Sequence, residues 1–500
     1  MTNRTASAPF SPSAILHSAF CNLQSELARP ALVLLLAVLC LAAPARAQTT
    51  FQRTYGDELY DGGYSVAQTT DGGYIIAGFT NSYGAGSYDV RVVKTDARGD
   101  TAWTRTIGTL LYDQGHWVSL SSDGGLVIAG CTTSWLDGYQ QVYLAKCDAT
   151  GDTVWTRSYG GADHDRGYSA TRTSDGGYAI TGYTYSYGAG SSDIYLVRTD
   201  SLGDTLWTRT YGNSQPDEGR AVKQTEDGGF IITGCTRLPG GGASGLSLVR
   251  TDAEGHVQWT RSYGGTYADA GGDVVQEGSR GFTVVGHTES FGAGRSDVWL
   301  LRTDVNGDSL WTRTFGGPNK DYGYALVSTE DGGYVIVGST ESFGAGDCDV
   351  WVIRIDARGN SVWSKTFGGE STDEGHCAVR TTDGGYAITG CTESFGAGAY
   401  DVWLIKTDAN GNIGVAETPP VAVTPASLPT FARNSLILPS AFSVLTSDFV
   451  LFDPSGRKVM NLSPGPNDIS HLSPGVYFVC PKGQRDEGTK GQSQKVIIQR

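Results

Sequence analysis

The sequence contains little of several residue types. Among 500 residues there are two Met and seven His, and charged residues make up 18%. Basic residues are the minority, with 37 Lys and Arg against 52 Asp and Glu. Because an acidic surface without a basic cluster repels phosphate groups, we expect neither a nucleic-acid partner nor binding to anionic lipid.

The residue types that usually carry catalysis show no catalytic pattern. No nucleophile elbow or phosphate-binding loop is present, and the Gly-Ala-Gly runs do not precede a predicted helix, so they are not dinucleotide motifs. We therefore assign no catalytic residue and no cofactor. The His residues are scattered, and none shows a metal-ligand spacing (His17, His116, His164, His256, His287, His376 and His471).

Long apolar runs are also scarce, and the longest spans residues 31–43. It is shorter than the roughly 20 residues that cross a bilayer as a helix. Arg29 precedes it, and Ala45-Arg46-Ala47 follows as a cleavage-site pattern. We interpret residues 1–47 as a secretory signal peptide, with a membrane anchor as the alternative, and expect no transmembrane segment after cleavage.

Glycine and aromatic residues, by contrast, are abundant, with 70 Gly, 25 Tyr and 11 Trp. The Gly residues show no Gly-X-Y period, which excludes collagen, and a disordered chain would lack these aromatics. This composition predicts short strands joined by tight turns.

The middle of the chain repeats one unit seven times. The period is 52 residues, without insertions. Within the first unit we predict strands at 64–69, 74–80, 90–95 and 101–107, and four strands per unit predict a seven-bladed β-propeller over residues 48–416. The period is set by Trp103, Trp155, Trp207, Trp259, Trp311 and Trp363, and by Asp96, Asp148, Asp200, Asp252, Asp304, Asp356 and Asp408.

The two ends of the repeat array complement each other. The seventh copy lacks its fourth strand, and residues 51–56 match residues 103–108 of the first copy. We predict that this N-terminal strand completes the last blade and closes the ring, because an open solenoid would need capping repeats. The Asp96–Trp103 turn weakly resembles the Asp-box hairpin and the docking turn of quinoprotein dehydrogenases, which implies a structural role.

The C-terminal part of the chain has a different composition. Residues 417–434 are rich in Pro, Ala and Thr and predict a linker. Residues 435–500 contain a turn at Asp453-Pro454-Ser455-Gly456 and the run Leu472-Ser473-Pro474-Gly475-Val476-Tyr477, which predict a small β-sandwich. This segment resembles the C-terminal sorting domain of the bacterial type IX secretion system, apart from a polar insert at 482–494.

The resemblance implies a partner and a destination. The partner is the outer-membrane secretion machinery, and the mature protein is secreted or attached to the outer cell surface. An ordinary β-sandwich module is the alternative interpretation of residues 435–500.

One aspartate recurs in the loop before each first strand. Seven carboxylates around a channel mouth would attract cations or bind Ca²⁺. The alternatives are a repeated Asx turn or ion pairs with the repeated basic residues (Arg53, Arg105, Arg157, Arg209, Arg261, Arg313 and Lys365). The aspartates are Asp61, Asp113, Asp165, Asp217, Asp269, Asp321 and Asp373.

A binding site is expected where the copies differ. Copy two has Trp135 in the loop after its second strand and His116-Trp117 in its first strand, which we take as peculiar to that copy. Exposed aromatics suit contact with a glycan or a protein, and drift of one repeat is the alternative. Cys377 and Cys391 flank one hairpin turn and predict a disulfide.

Three functions are compatible with the sequence. We favour an exported, non-catalytic propeller that binds a glycan or protein ligand. The alternatives are a propeller-based extracellular enzyme, of quinoprotein or glycosidase type, and a structural surface protein.

Overall fold

The structure is a computed structural model, and its described residues are 49–133, 138–237, 242–414, 431–432, 435–438, 449–453, 457–462, 465–473, 475–481 and 494–498. The predicted signal peptide, most of the predicted linker and Trp135 lie outside these residues. The chain divides into two compact units, residues 1–414 and 415–500. Among the described residues, no helix is long and apolar enough to cross a membrane.

The first unit is a seven-bladed β-propeller, as predicted. Each blade is a four-stranded antiparallel sheet. Blades 1 to 4 comprise β2 (Asp61–Gln68), β3 (Tyr74–Thr80), β4 (Asp89–Thr95) and β5 (Thr101–Ile107); β6 (Gln114–Leu120), β7 (Leu126–Thr133), β8 (Gln140–Cys147) and β9 (Thr153–Tyr159); β10 (Asp165–Arg172), β11 (Tyr178–Thr184), β12 (Asp193–Thr199) and β13 (Thr205–Tyr211); and β14 (Asp217–Gln224), β15 (Phe230–Arg237), β16 (Ser244–Thr251) and β17 (Val257–Tyr263).

The remaining three blades follow the same plan, and a short 3-10 turn at Gly278–Arg280 lies within blade 5. Blades 5 to 7 comprise β18 (Asp269–Gln276), β19 (Phe282–Thr288), β20 (Asp297–Thr303) and β21 (Ser309–Phe315); β22 (Asp321–Ser328), β23 (Tyr334–Thr340), β24 (Asp349–Ile355) and β25 (Ser361–Phe367); and β26 (Asp373–Arg380), β27 (Tyr386–Thr392), β28 (Asp401–Thr407) and β1 (Phe51–Tyr55).

The N-terminal strand closes the ring as predicted. β1 pairs with β28 over five residues, from Phe51 opposite Lys406 to Tyr55 opposite Val402. A buried cluster then joins blade 7 to blade 1, with Phe51 and Leu404 on one side and Ile76 on the other. The edge of β28 is therefore covered within the same chain.

In six of the seven blades, all except blade 5, an Asp-Gly-Gly turn sets the hairpin between the first two strands. In blade 1, Gly72 has a φ of +85°, a conformation that glycine adopts without steric cost. The Asp71 carboxylate accepts a hydrogen bond from the Gly73 amide at 3.0 Å. Lys94 on β4 reaches the same carboxylate at 2.9 Å, so the turn is tied to the third strand.

The hydrophobic core lies between neighbouring blades. Second and third strands are apolar on both faces, as β3 (YIIAGFT) illustrates, because each blade packs against one neighbour on either side. Between blades 1 and 2, for example, Ile75 and Val92 pack with Leu126 and Ile128. The contacts between blades thus repeat with the sequence period.

The outer turn that runs from Asp96 to Trp103 has a structural role, as its resemblance to the Asp-box hairpin and the docking turn implied. The Asp96 carboxylate accepts hydrogen bonds from the amides of Arg98 at 2.8 Å and Asp100 at 2.9 Å. The Trp103 ring covers Gly151 of the next blade, where an added Cβ would lie 2.6 Å from the ring. The turn therefore connects successive blades.

The second unit is also built of strands. Its five-stranded sheet has the order β29-β35-β34-β31-β32, and β30 pairs with β33 in a second sheet. Phe431–Ala432, inside the predicted linker, is one of these strands. The strands are β29 (Phe431–Ala432), β30 (Ser435–Leu438), β31 (Phe449–Phe452), β32 (Lys458–Leu462), β33 (Gly465–Asp468), β34 (Gly475–Pro481) and β35 (Gln494–Ile498).

Candidate binding site in the central channel

The first strand of every blade lines the centre of the ring. These strands contact one another in sequence, from β2 through β6, β10, β14, β18 and β22 to β26, which contacts β2 again. Each strand carries a one-residue bulge directly after a repeated glycine. In β2 the bulge residue is Tyr64, between Gly63 and Ser65. Bulges redirect side chains, and here they do so at the channel.

The seven bulge residues meet at one cavity of about 520 Å³. This volume lies in the range of about 300–1,000 Å³ that small-molecule sites occupy. The repeat fixes where these residues lie but not their chemistry, because they include phenols, imidazoles, a guanidinium and a glycine. They are Tyr64, His116, Tyr168, Arg220, Gly272, Tyr324 and His376.

Five of these residues form an arc of rings along one side of the channel. The Tyr64 ring lies 4.7 Å from His116 and 5.1 Å from His376, measured between centroids. Tyr168 continues the arc beyond His116 at 5.4 Å, and Tyr324 continues it beyond His376 at 5.9 Å. The arc therefore runs from blade 6 through blades 7, 1 and 2 to blade 3.

The opposite side of the channel is charged. In blade 4 the guanidinium of Arg220 lies 3.8 Å from the Glu218 carboxylate. Lys223 reaches Asp273 of blade 5 at 3.4 Å. Both pairs are partly exposed, so their side chains can exchange partners with a polar ligand at modest cost.

The two histidines of the arc differ in their surroundings. Burial, reinforced by the charge of Arg166, lowers the pKa of His116 to about 3, so this ring is neutral at neutral pH. Its Nε2 atom is buried and has no hydrogen-bond partner among the described residues. The His376 ring instead has two partners at 3.0 Å: Nδ1 contacts the Gly63 carbonyl and Nε2 contacts the Glu374 carboxylate. The hydrogen bond from His376 lowers the pKa of Glu374.

The predicted aspartate ring does not face the channel mouth. Six of the seven carboxylates belong to the first residue of an inner strand rather than to the preceding loop, and all are almost fully buried. In blade 5, Asp269 accepts the Gly265 amide at 2.9 Å and the Ser290 hydroxyl at 2.8 Å. This is the Asx-turn alternative.

This geometry fits neither a cation-binding ring nor ion pairs between the aspartates and the repeated basic residues. The repeated basic residues of the outer strand pair elsewhere: Arg105, for example, reaches Asp152 of the next blade at 3.0 Å. Asp61, Asp113 and Asp165 each retain one buried oxygen without a hydrogen-bond partner among the described residues. Their other oxygen serves its own turn, so the seven groups do not converge on one cation.

The structure locates Trp117 in the channel wall. It belongs to β6, lines the cavity and packs partly buried against the core between blades 2 and 3. It is therefore not on an exposed propeller face, because the inner strand rather than a loop carries it. His116 is also not peculiar to copy two, since His376 is the equivalent residue of copy seven.

The predicted disulfide is wrong, because Cys377 and Cys391 are both free. The register that starts at Arg380 opposite Tyr386 places Cys377 opposite Thr389, and beyond the bulge Cys391 lies opposite Glu374. Cys377 lines the cavity, whereas Cys391 is buried beside Glu374 and His376.

The sequence contained a pattern that would have located this site. Three residues after each repeated Asp, and directly after a repeated Gly, one position varies in charge and size among the copies. Such variation inside a constant frame indicates a position that does not serve the blade. The variable loops did not mark this site, because a bulge in the inner strand places the variable position inside the ring.

Comparisons with known proteins assign no family to the chain. No family model matches the chain. The regulatory protein FlaEY of Caulobacter vibrioides is 28% identical over 257 residues, which cover 45% of this chain and 26% of FlaEY. The chain thus matches about a quarter of that relative's length.

Two solved structures illustrate the similarity in fold. The Pan2 WD40 domain of Neurospora crassa has 10% identity and a TM-score of 0.42, covering 70% of this chain and 91% of that domain. PorZ, a surface component of the type IX secretion system of Porphyromonas gingivalis, has 9% identity and a TM-score of 0.40, covering 89% and 60%. The assignment of seven blades here follows from the strand pairing itself.

Proposed function

We propose that this protein is an exported, non-catalytic propeller that binds a glycan in its central channel. The observation that carries the proposal is the convergence of the seven bulge residues, which are of four different types, on one cavity. Aromatic faces pack against the C–H groups of a sugar, and their polar edges, with the neighbouring ion pairs, bond its hydroxyls. The cavity is lined by the inner strands, and its volume suits a small polar ligand better than a folded protein.

The carboxylates of the channel support binding rather than glycoside hydrolysis. A glycosidase needs one carboxylic acid that stays protonated near neutral pH. Glu218 and Asp273 each face a cation, and the pKa of Glu374 is lowered by His376. None of these described groups fits the role of a general acid.

A glycan array on the purified protein tests the binding function. We expect discrete hits that weaken at least tenfold in Tyr64→Ala and Trp117→Ala. Tyr267→Ala is the matched control, because this tyrosine is 63% exposed and is not among the cavity-lining residues. Absence of binding to any glycan on the array, or an equal loss of binding in Tyr267→Ala, contradicts the proposal and favours a structural surface protein.

Export through the type IX secretion machinery is the second part of the proposal. It is supported by the sorting-domain resemblance of residues 435–500, whose described part forms a separate β unit. A reporter placed between residues 1–47 and 435–500 should reach the medium or cell surface of a bacterium with this system. Retention of that reporter, or its equal export in a secretion-deficient mutant, contradicts this assignment.

A further inference from the structure

Blade 7 brings three metal-binding side chains to one face of its sheet. Glu374 on β26 lies directly opposite Cys391 on β27, and His376 follows Glu374 as the bulge residue. Side chains directly opposite each other, or two residues apart on one strand, lie on the same side of a sheet. A carboxylate oxygen, an imidazole nitrogen and the thiol sulfur all lie within 4.8 Å of one another.

The hydrogen bonds of His376 define which nitrogen is free to bind a metal. Nδ1 lies 3.0 Å from the carbonyl oxygen of Gly63 in blade 1, and a carbonyl only accepts, so Nδ1 carries a proton. Nε2 lies 3.0 Å from Glu374 Oε2. Nε2 therefore faces the Glu374 carboxylate, and a metal ion between the two would bind both atoms.

We propose that Glu374, His376 and Cys391 form a Zn²⁺ site in the wall of the channel. Zn²⁺ combines thiolate, imidazole and carboxylate ligands at about 2.0–2.3 Å, so its ligand atoms lie about 3–4 Å apart. The three ligand atoms lie within 4.8 Å of one another, close to this spacing, and the Glu374 side chain is 36% exposed.

The surroundings of His376 match those of metal-binding histidines. Such residues generally donate their second N–H to a carboxylate or a backbone carbonyl, which fixes the ring, and Gly63 supplies that carbonyl. Three protein ligands leave one position of a tetrahedral ion for water or for a ligand group. Because His376 also lines the cavity, the proposed metal site adjoins the proposed glycan site. The metal site does not depend on glycan binding.

The other copies of the repeat supply natural comparisons. Copy two has Gln114, His116 and Cys131 at the same three positions and lacks the carboxylate. In copy four the position of His376 is occupied by Arg220. The repeat therefore provides the scaffold for three ligands, and among the described blades only blade 7 carries the full set.

A second cluster, Asp252, Glu254 and His256, is a weaker candidate. It lies on the outer turn between β16 and β17, and its Glu254 and His256 side chains are exposed. The Asp252 carboxylate already accepts the amides of Glu254 at 3.1 Å and His256 at 2.8 Å. Exposed groups of this kind make a poor Zn²⁺ site, and His256→Ala serves as a control.

Titration of the whole, reduced, chelator-treated protein with Zn²⁺ in a calorimeter tests the site. We expect one ion per molecule, and Co²⁺ should give the near-ultraviolet thiolate-to-metal band. Cys391→Ser and Glu374→Gln should weaken binding by about 100-fold or more, since loss of an outer-shell partner alone costs 10–100-fold. Cys131→Ser removes the equivalent buried thiol of blade 2, and it should leave affinity and stoichiometry unchanged, as should His256→Ala.

Several outcomes would overturn the proposal. These are absence of Zn²⁺ binding, a Co²⁺ complex without the thiolate band, and equal binding in Cys391→Ser. If Cys391→Ser fails to fold, Glu374→Gln, which keeps the shape of a partly exposed side chain, decides the matter. The titration contains no glycan, so failure of glycan binding cannot be mistaken for failure of the metal site.

Discussion

The Tyr55 hydroxyl donates a hydrogen bond of 2.7 Å to the carbonyl of Gly99. Tyr55 ends the N-terminal strand, which belongs to blade 7, whereas Gly99 lies in the outer turn of blade 1. The same bond recurs between Tyr159 and Gly203 at 2.7 Å. The contact that closes the ring is thus equivalent to a contact between two consecutive blades.

Tyr55→Phe should lower the free energy of unfolding by about 1–2 kcal/mol, because it leaves a buried carbonyl without its donor. Chemical denaturation of the purified protein measures the change. Tyr159→Phe is the matched control and should cost the same amount. A Tyr55 effect near zero beside a clear Tyr159 effect would show that blades 7 and 1 are not closed in solution.

Gly78→Ala should destabilise the protein by at least about 3 kcal/mol. A Cβ at this position would lie 1.8 Å from the carbonyl oxygen of Gly62 on the neighbouring strand, so the backbone must move. Gly242→Ala is the control, since an added Cβ there meets nothing within 4 Å. Equal melting temperatures for the two variants would contradict the described strand contact.

The turn carboxylates should make the propeller sensitive to acid. The hydrogen bond from Thr69, followed by that from Lys94, lowers the pKa of Asp71 to about 2, and the equivalent Asp123 is shifted in the same direction. A lowered pKa contributes stability that is present above the unfolded value near 4 and is lost as the pH falls towards 2.

The denaturation midpoint should therefore drop between about pH 4 and pH 2. Each exposed pair contributes little because solvent screens it, but the turn recurs in six of the seven blades. Asp71→Asn should make the drop shallower. Burial raises the pKa of Asp217 and Asp401, and a raised pKa favours the folded state at lower pH. A denaturation midpoint that rises on acidification would therefore show that these two groups outweigh the turn carboxylates.

Cys377 and Cys391 should both be alkylated when the protein is denatured without reductant. Peptide mass spectrometry measures the fraction modified. Cys147, which is fully buried and also free, provides the reference for complete modification. If the two cysteines are alkylated only after a reductant is added, the disulfide predicted from their spacing is present after all.

Addition of Ca²⁺ to chelator-treated protein should leave the melting temperature unchanged, because the ring carboxylates serve separate turns. Asp269→Ala should instead cost about 2–4 kcal/mol, since it removes the buried acceptor of the hydrogen bonds from Gly265, Thr288 and Ser290. A Ca²⁺-dependent rise in melting temperature that Asp269→Ala abolishes would reinstate the cation ring.

Much of the propeller was predictable because its contacts repeat with the sequence. The second strand of the first unit and its fourth strand were predicted with the observed limits, 74–80 and 101–107. The first strand begins three residues earlier than predicted, at Asp61. The carboxylate there accepts the Asp57 amide at 3.1 Å and the Ser82 hydroxyl at 2.6 Å, which allows a residue with low strand propensity to start the strand.

The sequence by itself determined the period, the number of blades and the strand that closes the ring, since each follows from residues at fixed spacing. Only the tertiary structure decided which side chains meet in the channel. A bulge turns one residue per blade inward, and closure brings His376 to Gly63, 313 residues away in the chain. Spacing along the chain carries no information about such a pair until the ring is closed.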